Sequence, residues 1–213
     1  MSGRLRIRPR GLWVAVLERL RGRDQLLIQA GDALPLVVAS YPRGRTWFAT
    51  SLQSALCSTF RSVPAAVREQ YRDVLENVPS LVVAELRARN AGSCLGHHHP
   101  PGTESRLARR LMVDTGRRVG EIDLAVEEIR AWEPRPLSGL AAVAAESMQD
   151  DRARADFAYQ RFHTALLAVF LHELEHLAFP ARPEHEVRRR SDAFYLSALG
   201  AFVEQEYGVT FGI

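Results

Sequence analysis

The chain contains no lysine, and all 28 of its basic residues are arginine. A phosphate-binding loop of the Walker type needs a lysine, as do Schiff-base catalysis and the ATP site of protein kinases. The sequence therefore excludes these three kinds of chemistry. The lack of lysine itself reflects genomic base composition more than function.

Cysteine is also scarce, with Cys57 and Cys94 as the two cysteines among 213 residues. Two cysteines are too few for a disulfide-stapled scaffold, and they suit a reducing compartment. No stretch approaches the roughly 20 apolar residues of a membrane span, and the short apolar segment 11–17 is followed by arginines without a cleavage-site pattern. We therefore expect a cytoplasmic protein without a membrane segment, and its 46% hydrophobic and 25% charged residues are typical of a globular fold.

Positive charge is concentrated in residues 1–23, which hold seven arginines and one acid, Glu18. Such a segment can contact nucleic acid or another acidic surface. The chain carries no zinc-finger spacing, RNA-binding signature or patch of interleaved aromatic residues. The pattern therefore favours a solvated amphipathic segment, and a nucleic-acid partner is the alternative.

The most informative pattern is the run His172-Glu173-Leu174-Glu175-His176, a His-Glu-x-x-His motif. Residues 151–178 contain neither proline nor glycine, and Asp150 or Asp151 can cap the start of a helix there. Two histidines four residues apart on a helix lie on one face, so both imidazoles can reach one metal ion.

The two histidines continue an apolar stripe of this helix. The stripe has the spacing of three and four residues that is typical of a buried helix face, and its members are Phe162, Ala165, Leu166, Val169, Phe170 and Leu177. Two buried histidines with a carboxylate between them need a polar partner, and one metal ion would satisfy both. The alternative is a chance match in a purely structural helix, whose histidines hold no metal.

A catalytic zinc ion usually has three protein ligands. The candidates for the third ligand are Glu184, His185, Glu186 and Asp192. Prolines in residues 179–183 end the first helix, and residues 184–207 fit a second helix packed antiparallel to the first. Side chains lean towards the N-terminus of their helix, which makes Asp192 the first choice and Glu184 or Glu186 the fallback.

The motif resembles the active-site helix of the zincin metallopeptidases, which have a Val or Thr three residues before the first histidine and apolar residues around the motif. The matching residues are Val169, Phe170, Leu174, Leu177 and Ala178. Glu175 departs from the pattern, because zincins have an uncharged residue at that place. The resemblance implies a Zn2+ cofactor, with Glu173 as the general base that acts on a zinc-bound water, and a small antiparallel sheet beside the active-site helix.

Two groups of zincins bear on the third ligand. In gluzincins the third ligand is a Glu of the second helix, often with an Asp one turn later that braces a ligand histidine. If that Asp is aligned with Asp192, the position of the ligand Glu is occupied by Arg188 in this chain. In aspzincins the ligand is an Asp followed three residues later by Tyr, and Asp192 and Tyr195 are similar to that pair. This second resemblance implies that Tyr195 stabilises the oxyanion. The structural alternatives are an ion pair of Asp192 with Arg188 or Arg189 and a core position for Tyr195.

The remaining pattern predicts an α+β fold, with a small antiparallel sheet near the N-terminus followed by a mostly helical, zincin-like core. Strands are predicted at 26–30, 36–41 and 46–49, with a hairpin turn at Pro42-Arg43-Gly44, and helices at 64–76, 81–89, 104–112, 121–132 and 138–148. We divide the chain into an N-terminal α+β region, 1–102, and a helical catalytic region, 103–213, which together form one compact unit. Residues 94–102, which include His97, His98 and His99, are predicted to be an exposed loop, and a role over the active site is the alternative.

These features together predict a zinc-dependent metallopeptidase that cleaves a peptide bond in a specific protein partner. Its expected site comprises His172 and His176 as metal ligands, Glu173 as the base, and a third ligand from the second helix. The alternative is a zincin-like scaffold without catalysis, which binds a protein or nucleic acid. Arg188 at the expected ligand place and Glu175 in the motif favour this alternative.

Overall fold

The structure, a computed structural model, describes residues 22–29, 35–62, 76–86, 94–132 and 150–208, together with Glu69, Arg72 and Met148. Its strands are β1 (Arg23–Ile28), β2 (Leu36–Pro42), β3 (Ser80–Glu85), β4 (Gly96–His98) and β5 (Val119–Leu124). Its helices are α1 (Thr46–Ser62), α2 (Arg106–Thr115), α3 (Val126–Ala131), α4 (Asp151–Ala178) and α5 (Glu184–Tyr207). The arginine-rich segment 1–23 and the predicted helices 64–76 and 138–148 fall almost entirely outside the described residues.

The five strands form one sheet in the order β1-β2-β3-β5-β4. The three inner strands are parallel, whereas the outer strands β1 and β4 are antiparallel to their neighbours. The predicted order of a sheet followed by helices is confirmed, but the sheet is mixed rather than wholly antiparallel. β2 and β3 can run parallel because α1 lies in the connection between them, as a crossover requires.

The predicted strand 46–49 is wrong, and with it the hairpin predicted at Pro42-Arg43-Gly44. These residues begin α1, in which Phe48, Leu52 and Leu56 are fully buried at the four-residue spacing of a helix face. The antiparallel pair in this part of the chain is β1 with β2. The Thr and aromatic residues at 46–48 favour a strand locally. The apolar residues that follow them recur at the spacing of a helix, and the whole segment is helical.

Two of the predicted helices contain central strands instead. The first half of 81–89 is β3, and the first half of 121–132 is β5, which is followed by the short helix α3. β3 is buried on both faces, because Leu81 and Val83 pack on one side and Val82 on the other. Such a strand is a continuous apolar run, which periodicity does not distinguish from a buried helix. The helix predicted at 104–112 is confirmed as α2.

The two helices that carry the candidate site are confirmed. α4 begins after Asp150, whose carboxylate accepts the backbone N–H of Ala153 at 2.6 Å and so caps the helix. α5 begins at Glu184, directly after Pro183. Residues early in α5 contact the end of α4 and residues later in α5 contact earlier turns, which shows that the helices are antiparallel.

The helices cover the sheet on both faces. On one face, α1, α4 and α5 share a hydrophobic core with strand residues such as Val37, Leu81 and Ile122. On the other face, α2 packs Leu107 and Ala108 against Val82 and Val119. Within the part of the chain that the structure describes, none of the helices has the length and apolar composition that a membrane span needs.

Candidate metal centre

His172 and His176 project from one face of α4 towards the start of α5, and their Nε2 atoms are 3.2 Å apart. Glu184, the first residue of α5, brings Oε2 to 2.9 Å from His176 Nε2 and Oε1 to 3.6 Å from His172 Nε2. One ligand atom from each of these three residues lies within 4.8 Å of the others. We refer to His172, His176 and Glu184 as the helix cluster.

Hydrogen bonding prepares His172 as a metal ligand. Its Nδ1 lies 3.3 Å from Ser191 Oγ, which donates its own proton to the carbonyl oxygen of Arg188 at 2.9 Å. Ser191 therefore accepts the Nδ1–H of His172, and the Nε2 lone pair faces His176 and Glu184. Two imidazole nitrogens and a carboxylate oxygen are the donors of a catalytic zinc site, so these residues fit the metal that the motif implies.

Glu184 is braced on its own helix, since Arg188 Nη2 donates to Oε1 at 3.1 Å. Burial raises the pKa of Glu184, but the electrostatic interaction with His172 and the hydrogen bonds from Arg188 and His176 outweigh burial and lower this pKa below its usual value. The carboxylate is therefore anionic, as a metal ligand must be. Its side chain is 54% exposed, which leaves the helix cluster open to solvent on this side.

Among the described residues, Glu184 is the candidate whose ligand atoms converge with those of the two histidines. Asp192 and the exposed His185 line an open groove along α5 that Glu184 also lines, and Asp192 is near enough to His172 for their charges to interact. Glu186 faces Arg182, with 3.7 Å between Oε1 and Nε. The structure thus brings Glu184, the fallback of the sequence analysis, to the two histidines. The short connection between the helices places the first residue of α5, rather than its third turn, level with His176.

Tyr195 lies in the hydrophobic core. It is 1% exposed, and its ring packs against that of Trp132 with 5.5 Å between the centroids. The structural alternative for Tyr195, a position in the core, is therefore the one that the structure shows.

Glu173 points from α4 to the edge strand β4. A Cβ atom at Gly96 would lie 2.7 Å from Glu173 Cγ, so glycine is what allows the strand to approach the helix this closely. Burial raises the pKa of Glu173 to about 7, although a hydrogen bond from the His98 backbone opposes the shift. A carboxyl group with this pKa can both accept and release a proton near neutrality.

His98 connects β4 to the motif. Its Nδ1 lies 3.2 Å from Glu173 Oε2, and its ring stacks on that of His176 with 4.8 Å between the centroids. Burial and the neighbouring histidines lower the pKa of His98 to about 4, so the ring is neutral near pH 7. The predicted loop is wrong for residues 96–98, which form β4. Side chains alternate between the two faces of a strand, so the middle of three consecutive histidines lies on one face and its neighbours lie on the other. This alternation is the sequence signal that could have placed His98 beside the motif.

Glu175, the charged residue at the uncharged place of the motif, is buried and ion-paired. Its side chain is 4% exposed and contacts Arg182, in the connection between the helices, and Arg190 of α5. The charge therefore joins the two helices that carry the cluster.

Comparison of the chain with protein-family models, with curated proteins and with solved structures finds no match. The function of the site must therefore be inferred from its own residues. These are two histidines and a carboxylate with converging ligand atoms, and a buried carboxyl group beside them.

Proposed function

We propose that the chain is a zinc-dependent metallopeptidase that hydrolyses a peptide bond in a protein partner. The observation that carries this proposal is the position of Glu173, buried beside the helix cluster with a pKa of about 7. A site that only stores or senses a metal has no need of such a group, whereas hydrolysis needs a base there. The resemblance of the motif to that of the zincins supports the same reaction.

Glu173 is the base of the proposed reaction. His172, His176 and Glu184 would hold the zinc ion, which would supply Lewis acidity towards water and a carbonyl group. Glu173 takes a proton from the attacking water and passes it to the amide nitrogen as the C–N bond breaks. His98, with its proton on Nδ1, donates to Glu173 Oε2 and so keeps the carboxylate oriented.

The position of β4 supports a peptide as the substrate. In the described part of the sheet β4 is the last strand, and β5 pairs with one of its two edges. An extended peptide can pair with the other edge of such a strand. Since Gly96 and His98 of this strand contact Glu173, a peptide bound there lies beside the base.

Cleavage by the wild-type chain and by Glu173→Gln tests the proposal. Proteome-derived peptides are incubated with zinc-loaded protein, and new N-termini are identified by mass spectrometry. We expect a defined set of cleavages from the wild type and a loss of about 10² to 10⁴ in rate for Glu173→Gln, with zinc retained. Asp156→Asn, which changes a 66% exposed carboxylate on the same helix, is the matched control and should cleave like the wild type.

Metal analysis provides the second test. His176→Ala is expected to hold one equivalent of zinc less than the wild type, because it removes a ligand of the helix cluster. Equal zinc content in the two proteins, or unchanged cleavage by Glu173→Gln, would contradict the proposal. Loss of zinc in His176→Ala without any cleavage by the wild type would favour the binding scaffold instead.

A further inference from the structure

The two faces of β4 carry different residues. Gly96 and His98 face α4, as their contacts with Glu173 show. Because side chains alternate along a strand, His97 and His99 face the opposite side. His99 follows the last residue of β4 but continues the ladder, since its N–H donates to the carbonyl oxygen of Glu121 at 3.0 Å.

β5 brings two carboxylates to this second face. Glu121 and Asp123 lie on the same side of β5 as Val119, which packs against α2. His99 Nε2 is 2.8 Å from Asp123 Oδ2, and His99 Nδ1 is 3.9 Å from Glu121 Oε2. One ligand atom from each residue lies within 4.8 Å of the others. We refer to His99, Glu121 and Asp123 as the sheet cluster.

The hydrogen bonds of His99 orient its ring for metal binding. Nδ1 lies 3.1 Å from the carbonyl oxygen of Thr103, which can only accept, so Nδ1 carries a proton. Nε2, the other ring nitrogen of His99, lies 2.8 Å from Asp123 Oδ2 and is the nitrogen left to bind a metal ion. A proton or a metal ion between these two atoms allows them to lie this close together.

Both carboxyl groups of the sheet cluster are largely shielded from water. The side chain of Glu121 is 2% exposed and that of Asp123 is 15% exposed. Within the described residues, His99 is the one basic side chain that forms an ion pair with either carboxylate. A proton on His99 balances one of these two negative charges, whereas a divalent cation balances both.

The backbone also braces the second carboxylate. The N–H of Ser105 donates to Glu121 Oε2 at 2.5 Å. Metal ligands are commonly held by outer hydrogen bonds of this kind, in the way that Thr103 holds His99. Two of the three residues are thus oriented before any ion binds.

We propose that His99, Glu121 and Asp123 bind a second zinc ion, on the face of the β4–β5 pair opposite the helix cluster. One imidazole and two carboxylates are ligands that Zn2+ accepts in a tetrahedral site, with water as the fourth ligand. The ion joins the segment after β4 to β5, and so fixes the edge strand that contacts Glu173. Binding of this ion does not depend on the proposed peptidase activity, and only its effect on cleavage rests on that function.

Zinc stoichiometry in four proteins tests the second site. Zinc-loaded protein is freed of loose metal by gel filtration and weighed by native mass spectrometry. We expect two ions in the wild type, one in His176→Ala, one in Asp123→Asn and none in the double variant. Asp123→Asn keeps the shape of the side chain and removes its charge. If Asp123→Asn holds as much zinc as the wild type, the second site is overturned, whatever the result for His176→Ala.

Two control variants test whether the loss of zinc is specific to the ligands of the sheet cluster. Asp114→Asn, which changes a carboxylate at the far end of α2, and His97→Ala, which changes the exposed neighbour of His99, should both keep two ions. Loss of one ion in His97→Ala would place it on the run of histidines and overturn the ligand set.

Thermal unfolding provides a readout that does not require zinc to survive the purification. In the His176→Ala background, added zinc should raise Tm by about 5 °C through the sheet cluster. No such rise should occur when Asp123→Asn or, as a second variant, His99→Gln is added to that background. Circular dichroism of the metal-free proteins checks that each variant folds. Equal shifts of Tm with and without these substitutions would overturn the proposal.

Discussion

The helix cluster and the sheet cluster both combine imidazole with carboxylate groups, but their glutamates differ in exposure to water. Glu184 of the helix cluster is 54% exposed, whereas Glu121 of the sheet cluster is 2% exposed. Zinc sites that keep an open position suit catalysis, and closed sites suit a structural role. The difference supports the proposed roles, which are hydrolysis at the helix cluster and fixation of the strand at the sheet cluster.

The two clusters also differ in the pKa of a neighbouring carboxyl group. Glu173, beside the helix cluster, has a pKa raised to about 7, mainly by burial. Glu104 lies near enough to His99 for their charges to interact, and both of its oxygens accept the N–H of Gly102 at 2.9 Å. Burial raises the pKa of Glu104, but these backbone hydrogen bonds and Arg109 outweigh burial and lower it. Of these two carboxyl groups, only Glu173 can exchange a proton near neutrality.

The largest expected effect distinguishes Glu184 from Asp192 as the third ligand. Glu184→Gln should weaken zinc binding at the helix cluster by more than about 100-fold, and Asp192→Asn by less than about 10-fold, because Asp192 acts at most from outside the ligand shell. The measurement is a competition titration against a fluorescent chelator in the Asp123→Asn background, in which the helix cluster alone titrates. A larger effect of Asp192→Asn would show that the cluster described here is not the one that holds zinc.

The next prediction concerns one substitution on each face of β4. In His98→Phe the ring can still stack on His176, but it no longer donates to Glu173. We expect kcat for cleavage to fall about 10-fold because the base is less well positioned, with KM and zinc content unchanged. The control is His97→Phe on the opposite face, which should leave kcat unaltered. Equal losses in both variants would mean that β4 acts through its backbone alone.

Metal removal compares the two clusters directly. With excess chelator, zinc should leave the wild-type chain in two kinetic phases, the faster from the helix cluster, because its carboxylate ligand is exposed. Absorbance of a chromogenic chelator follows both phases. His176→Ala should lack the fast phase and Asp123→Asn the slow phase. The opposite assignment would reverse the open and closed roles inferred here.

A separate effect is expected on the stability of the scaffold around the helix cluster. Arg182→Leu leaves the buried Glu175 without one of its arginine partners. We expect the free energy of unfolding of the metal-free protein, measured in urea, to fall by about 2 kcal/mol, somewhat less than when a buried ion pair loses its sole partner. Arg152→Leu, which changes a 92% exposed arginine paired along α4, should change it by less than about 0.5 kcal/mol. Equal effects would show that Glu175 does not tie the helices together.

Local patterns were reliable where a period extended over many residues. The 28 residues of α4 show a helical apolar stripe with a capping aspartate, and both features are confirmed. Local patterns gave wrong predictions where a segment was short or buried on both faces. Residues 46–49 became the first turn of α1, and the predicted helices at 81–89 and 121–132 gave way in their first halves to β3 and β5. In these segments burial in the sheet or against it outweighs local propensity.

The choice of the third ligand shows the same limit inside a correctly predicted pair of helices. The lean of side chains along a helix favoured Asp192, but the level of α5 against α4 brings Glu184 to the histidines. That level depends on the course of the connection 179–183 and on the packing between the helices. The spacing of apolar residues within one helix carries no information about the course of this connection or about the packing between the two helices.

Local sequence is enough to predict α4, α5 and the placing of His172, Glu173 and His176 on neighbouring turns of one helix, because these features follow from helical geometry over a few residues. The tertiary structure alone decided that β4 lies against α4, and that His98, 75 positions away in the chain, meets Glu173. It also decided that His99 converges with Glu121 and Asp123 on the other face of the sheet. Strand pairing and sheet packing set these contacts, and both depend on which distant segments bury each other's apolar faces rather than on any local pattern.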